Sequence, residues 1–300
     1  MSYSVAGKYA VITGAGSGIN FCFAKLLLER GAAGVLIGDL ALRPHAQEFV
    51  AAHADKVSFR RTDVRSWPDI SALMAQGAAQ FPQVDIVCAG AGIFEPPWSS
   101  FWSPPRTATN PDSPSVDAAG ANPGTYAVID VNLTHPIRLT QLAMSHWLGR
   151  GIPGCMVYAG STAGYVTSFA SPMYIAAKSG LHGFVRSIGG IKEELNIRVG
   201  AIAPGGVRTP MMVEEKKHIF SAADIENMVT PEECAEAMLA LCEKDEYGDG
   251  TILEVVEPGQ TRVVPLYGNV PPTGRSMVLG GYREFQENLY KSLRENGLKV

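Results

Sequence analysis

No stretch of this 300-residue sequence runs uninterrupted through the ~18 apolar residues of a membrane span, and the N-terminus enters a strand pattern too early for a signal peptide. The expectation is a cytoplasmic protein with no membrane partner. The chain also lacks a basic excess. With 25 Lys and Arg against 29 Asp and Glu, its net charge of −4 omits the electrostatic footprint that a nucleic-acid backbone requires. Cysteine is scarce as well. Cys22, Cys88, Cys155, Cys234 and Cys242 are scattered and mostly apolar in context, which reads as reduced core thiols. No His or Cys pair stands at metal-ligand spacing, so no metal is expected.

What is present is a rhythm. Short apolar runs ("YAVIT", "GVLIGD", "VSFRRTDV", "VDIVCAGAG", "CMVYAG", "IRVGAIAPG", "GTILEVVE") alternate with helical patterns, among them residues 125–148 and 172–195. That alternation is the sequence form of repeated βαβ units. The predicted fold is α/β: one Rossmann-type doubly wound domain over residues 1–300, its seven-stranded, mostly parallel sheet flanked by helices on both faces. Thr230-Pro231 reads as an N-cap and first-turn proline. Two segments break the rhythm. Residues 95–123 carry seven prolines with Trp98, Phe101 and Trp102, an insertion that forms neither helix nor inner strand. Residues 258–300 form a C-terminal extension ending in a helix with Phe285, Leu289 and Leu293 on one side, packed on its own subunit or a neighbour.

The turn "TGAGSGIN" lies between the first strand and a helix, and Asp39 closes the next strand about twenty positions on. Gly14 suits the tight turn; Gly18 suits close approach of backbone N–H groups to a pyrophosphate. A carboxylate at Asp39 accepts from both ribose hydroxyls and repels a 2′-phosphate, which favours NAD over NADP, with Arg43 the one nearby residue that points the other way. Asn20 stands where a third glycine eases helix–strand packing. Its amide either lies near the phosphates or caps a neighbouring strand.

Tyr174 and Lys178 sit four apart on one helix face, after Ser161 at a strand end. A phenol with a pKa of about 10 serves as a base only if helped, and an ammonium close by lowers it by roughly 1 to 3 units. Tyr174 would then exchange a proton with a substrate oxygen that Ser161 also holds, while a hydride moves at the nicotinamide.

On these residues the chain, over about 7–257, resembles the short-chain dehydrogenase/reductase family. Thr13-Gly14-x-x-x-Gly18-Ile19 is similar to its cofactor turn, Asp63-Val64 to its adenine-contacting pair, Ala91-Gly92 to its fourth-strand signature, and "PGGVRTPM" to its segment after the sixth strand. The resemblance makes Asn132, Ser161, Tyr174 and Lys178 the catalytic tetrad. It implies cofactor contacts from Gly14, Ser17, Gly18, Ile19, Asp39, Asp63, Val64, Ala91, Gly92, Tyr174, Lys178, Pro204, Gly205, Val207 and Thr209. By the same resemblance Asn132 holds a proton-relay water, Lys178 binds the nicotinamide ribose, Thr209 touches the carboxamide, and the helices over 125–148 and 172–195 pair subunits into a homodimer or homotetramer. Asp39 and the tail resemble the 15-hydroxyprostaglandin dehydrogenase-like subgroup.

Three positions depart from the family pattern: Asn20, Ala89-Gly90 in place of an asparagine pair, and "VVEPGQ" in place of an Asp-Gly-Gly ending. Phe94, Trp98, Phe101, Trp102, Tyr165, Met211 and Met212 fall on loops that should wall the pocket, with Phe94, Trp98 and Met211 the substrate candidates. They either form an apolar cleft or fold the loops onto the surface. The expected function is NAD-dependent hydride transfer between nicotinamide and a bulky hydrophobic or aromatic secondary alcohol or its ketone. The alternatives are a non-redox rearrangement or cyclisation, or a dinucleotide-binding sensor, on the same fold. His135, His146 and His182 read as structural, and Lys216 and Lys217, after Glu214 and Glu215, as a solvated helix face.

Overall fold

The computed structural model describes residues 3–121, 124–215, 220–266 and 280–298, with the side chains of 280–286 outside the described set. Strand β1 (Tyr9–Thr13) leads through the glycine turn into α1 (Gly18–Glu29); β2 (Gly34–Asp39), α2 (Pro44–Ala52), β3 (Val57–Arg61), α3 (Trp67–Gln80) and β4 (Ile86–Ala89) follow. Beyond the insertion, α4 (Ala127–Ile129) passes through a π-helical turn, Asp130–Thr134, into α5 (His135–Arg150). Then come β5 (Gly154–Ala159), α6 (Pro172–Ser187), α7 (Ile191–Leu195), β6 (Ile197–Pro204), α8 (Ala222–Glu226), α9 (Pro231–Glu243), β7 (Asp249–Glu257), β8 (Gln260–Val263) and α10 (Gly280–Asn296).

The strands lie in the order β3-β2-β1-β4-β5-β6-β7-β8, parallel up to β7. This is a Rossmann-type doubly wound sheet. Its order reverses between β1 and β4, and the crevice beyond those strand ends is where such sheets hold ligands. The strands are apolar on both faces, β6 being buried throughout, because helices cover both sides. One face packs on α1 and α9 through Phe23, Leu27 and Met238. The other packs on α3, α5 and α6 through Leu73, Leu139, Trp147 and Leu181. The buried Trp147 indole N–H finds an acceptor, donating to Val84 O at 2.8 Å. The capping at Thr230 is as read: its hydroxyl accepts from Glu233 N, and Glu233 returns the bond.

Four expectations need correction. Among the described residues the sheet has eight strands rather than seven, because Pro258-Gly259 turns the chain back and β8 pairs antiparallel with β7. The extension from residue 258 therefore starts inside the sheet. The helix expected over 125–148 starts at Ala127 and is widened by the π turn that contains Asn132. The helix expected over 172–195 breaks before α7 at Gly189-Gly190, poor helix formers placed where a Gly189 side chain would overlap the Asp249 carbonyl. The tail does fold back on its own chain, through Tyr290 beneath the second core and Arg294 paired with Glu194, yet Leu289 is half-exposed. The Phe285 side chain, Lys216 and Lys217, and residues 122–123 and 267–279 lie outside the described residues. The insertion holds no helix between 95 and 121, only turns and isolated bridges. The five cysteines are free. Among the described residues no helix is long and apolar enough to cross a membrane.

Candidate active site

A cleft of about 810 Å³ opens at the switch point, and every residue singled out for cofactor, chemistry or substrate lines it: Gly14, Ser17, Gly18, Ile19, Asp39, Asp63, Val64, Ala91, Gly92, Phe94, Trp98, Asn132, Ser161, Tyr174, Lys178, Pro204, Gly205, Val207, Thr209 and Met211. The pocket-wall expectation fails for three aromatics. Phe101, Trp102 and Tyr165 lie outside the cleft lining. Trp102 meets Phe101 edge-on and Phe169 at a tilt at the surface, and the Tyr165 hydroxyl donates to Glu254 Oε2 at 2.5 Å, tying that loop to the β7–β8 hairpin. Met212, Val166 and Phe220 complete the apolar wall.

At the nucleotide end Gly14 adopts φ +73°, and an added Cβ would stand 2.5 Å from the Ala91 backbone, so only glycine fits. Asp39 is built into the turn: its Oδ2 accepts from Gly16 N at 2.8 Å and its Oδ1 from Leu40 N at 2.6 Å. Arg43, the residue that argued for a phosphate, pairs instead with Glu214 at 2.6 Å and with Glu215. Asp63 is chelated by Arg65, whose hydrogen bonds hold its carboxyl below the usual range. Asn20 is resolved as a strand cap. Its Nδ2 donates to Gly14 O at 3.2 Å and to Gly90 O at 2.9 Å, joining the glycine turn to the end of β4. A side chain at Gly90 would overlap that carboxamide, so two of the three departures from the family pattern form one interlock. The residues fit a dinucleotide: a glycine turn leads into the N-terminus of α1, and the Asp39 carboxylate at the end of β2 lines the same cleft.

At the chemical end Asn132 is fully buried; its Nδ2 donates to Val128 O and Ile93 O, both at 2.8 Å, and its Oδ1 accepts from Ile93 N at 3.3 Å. The side chain thus stitches the π turn to the strand-end loop. Lys178, only 4% exposed, donates to Ala159 O at 2.7 Å, and its Nζ lies 5.6 Å from the Tyr174 ring centroid. Burial pushes its ammonium down to about 8. It remains mostly charged at neutral pH. The expected lowering of Tyr174 is not what this geometry gives. Burial raises the phenol's pKa above its ordinary value, and the hydrogen bond with Ser161, rather than Lys178, offsets it. The Phe94 ring meets Tyr174 edge-on, centroids 4.9 Å apart.

Of the three histidines read as satisfied structural residues, His135 and His146 have hydrogen-bond partners and, among the described residues, His182 has none. His135 Nδ1 donates to Val131 O at 3.1 Å, with Thr13 Oγ1 3.0 Å from Nε2, and His146 Nε2 accepts from Val84 N. Neither ring nitrogen of His182 has a partner among the described residues. Burial drives His135 to about 4 and His182 to about 3. Among the described residues no group of three or more His, Cys, Asp or Glu is placed to hold a metal.

Sequence reading missed Glu95. It is 7% exposed, its Oε2 accepts from Tyr174 N at 2.8 Å, and its Oε1 accepts from Ser100 Oγ and Phe101 N, both at 3.0 Å. Glu95 takes the Tyr174 N–H that a serine N-cap ordinarily takes, an exchange that nothing in the local sequence around Ser171 signals.

A model of the short chain dehydrogenase family matches residues 8–219. The cis-4-hydroxycyclohexanecarboxylate dehydrogenase of Sinomonas cyclohexanicum is 33% identical over 271 residues, covering 88% of this chain and all of that protein. The 2,5-dichloro-2,5-cyclohexadiene-1,4-diol dehydrogenase of Sphingobium indicum is 28% identical, covering 69% and 76%. The structure of a 3-ketoacyl-(acyl-carrier-protein) reductase from Brucella melitensis, complexed with NADH, superposes with TM-score 0.64 at 23% identity over 85% of this chain and 99% of that one, a likeness of fold. The chain belongs to the short-chain dehydrogenase family, oxidoreductases of alcohols and ketones that bind a nicotinamide cofactor.

Proposed function

We propose that this protein transfers a hydride between NAD and a ring-borne secondary alcohol or its ketone, bulky and largely apolar, with Asn132, Ser161, Tyr174 and Lys178 as the reacting constellation. The observation that carries it is the convergence of Ser161, Tyr174 and Lys178 on one cleft whose other end presents the Asp39 carboxylate. A nicotinamide dinucleotide bound there supplies the hydride acceptor or donor. Tyr174 exchanges the proton at the substrate oxygen, Ser161 hydrogen-bonds the phenol and holds that oxygen, and the Lys178 ammonium binds the nearby ribose. Asn132 holds the π turn open beside them.

The NAD preference rests on Asp39 and on Arg43, whose guanidinium is held by Glu214 and Glu215. The ring-borne substrate rests on the apolar wall of Phe94, Trp98, Val166 and Met212 and on two relatives named for cyclohexane and cyclohexadiene alcohols. Pairing of α5 and α6 into a homodimer or homotetramer belongs to the same proposal, by family resemblance, and light scattering checks it. The functional test is absorbance of the reduced cofactor when the protein is mixed with NAD or NADP and paired cyclic and short linear secondary alcohols. Turnover with cyclic alcohols and NAD is expected; preference for linear alcohols or for NADP would overturn the corresponding half.

A further inference from the structure

A helix leaves its first N–H groups without intrahelical acceptors, and a local Ser, Thr or Asp side chain ordinarily supplies one. Neither helix that carries the reacting residues does this. Ser171, at the start of α6, makes no capping bond with its side chain, and neither does Tyr126 at the start of α4. Both helices borrow acceptors from the insertion. Ala127 N donates to Asp117 Oδ1 at 2.9 Å, Val128 N to Ser99 Oγ at 3.0 Å, and Tyr174 N to Glu95 Oε2 at 2.8 Å. The three acceptors are buried. The segment that the sequence marks only as irregular therefore closes the open ends of the Asn132 helix and the Tyr174 helix together.

Glu95 has the most direct hold on the chemistry. Its carboxylate bonds the backbone of Tyr174 while the adjacent Phe94 ring packs edge-on against the Tyr174 ring, so consecutive residues grip the tyrosine at both ends. Its second oxygen is anchored on Ser100 and Phe101 of the insertion. A carboxylate is also the charge a helix N-terminus favours. We propose that Glu95 is a positioning residue for the reaction: it sets where Tyr174 stands, and makes that placement depend on the fold of the insertion. A plain capping role would affect stability only. Positioning affects chemistry too.

The inference rests on Tyr174 as the proton-exchanging group. Glu95→Gln is the incisive change, because both carboxylate oxygens face donors and an amide must turn its NH₂ toward one of them. If Tyr174 shifts, kcat with a cyclic alcohol should fall roughly 10- to 100-fold, since a misplacement of about 1 Å costs on that order. NADH affinity, read by fluorescence titration, should stay within about twofold, because the carboxylate does not line the nucleotide end. A substrate-free readout accompanies this: near-ultraviolet difference titration against Tyr174→Phe. The Tyr174 midpoint should move upward in Glu95→Gln as the bond with Ser161 loosens. Reduced thermal stability with wild-type kcat and a wild-type phenol midpoint would overturn the proposal. Should Glu95→Gln not fold, Ser100→Ala frees one side of the carboxylate and should give smaller changes in the same direction; wild-type values there would overturn it equally. Activity surviving in Tyr174→Phe would sink the functional reading itself. An inactive Tyr174→Phe beside an unaltered Glu95→Gln would sink only this inference.

Discussion

The two ends of the cleft are held together differently. The nucleotide end is made mainly by backbone: Gly14, Gly16 and Asp39 meet because β1, a tight turn and β2 bring them together, and the Asn20 side chain adds a tie to Gly90. The chemical end is held by side chains reaching across the chain: Asn132 onto Ile93, Lys178 onto Ala159, Glu95 onto Tyr174 across 79 positions. Local backbone geometry tolerates small changes of side chain, whereas long-range buried bonds leave an unpaired group when one partner is lost. Substitutions at the chemical end should therefore cost more function, and those at the nucleotide end should retune affinity.

Lys178→Met sharpens that contrast most. It should lower kcat by roughly 10² to 10⁴. It should also raise stability at pH 7 by about 1 to 3 kcal/mol, because burial has lowered the ammonium from 10.5 to about 8 and the charged form is held against its solvation preference. Kinetics and urea unfolding check both halves. Next is acid. The folded pKa values of His135 and His182 lie below their ordinary 6.5, so the unfolded chain binds protons first as pH falls. The stability they contribute is complete above about 6.5 and drains toward 4 and 3; each should account for about 2 kcal/mol of loss by pH 5, and His182→Leu should remove its share of the slope. At the nucleotide end, Asp39→Asn should raise the KM for NAD roughly tenfold and admit NADP, with kcat little changed. Gly90→Ala, whose methyl overlaps the Asn20 carboxamide, should cost about 1 to 3 kcal/mol, and Asn20→Gly in the same chain should restore part of it, read as a coupling of about 1 kcal/mol in a double-mutant cycle.

The same division explains what the sequence disclosed. Buried apolar strands, the glycine turn and the spacing of Tyr174 and Lys178 are periodic or local signals, and every site residue they nominated faces the cleft. β8 was hidden because its four residues are exposed and lack a strand's apolar alternation. The π turn at Asn132 and the break at Gly189 come from tertiary contacts, with Ile93 and Asp249, that no window of neighbouring residues contains. The aromatic insertion was half legible. Composition marks it as irregular, but only the fold separates Trp98 in the cleft from Trp102 outside it, and only the fold reveals Glu95 beneath. The electrostatic expectation for Tyr174 failed for a related reason: helix spacing reports which side chains share a face, not how much water the fold removes from them.

The account stands on proton exchange by Tyr174. Tyr174→Phe keeps the ring against Phe94 and removes only the hydroxyl, so its rate of NADH formation from a cyclic secondary alcohol, beside an unchanged melting temperature and NADH affinity, tests that claim directly. A fall of roughly 10² to 10⁴ is the predicted result. A rate within about tenfold of wild type would contradict it.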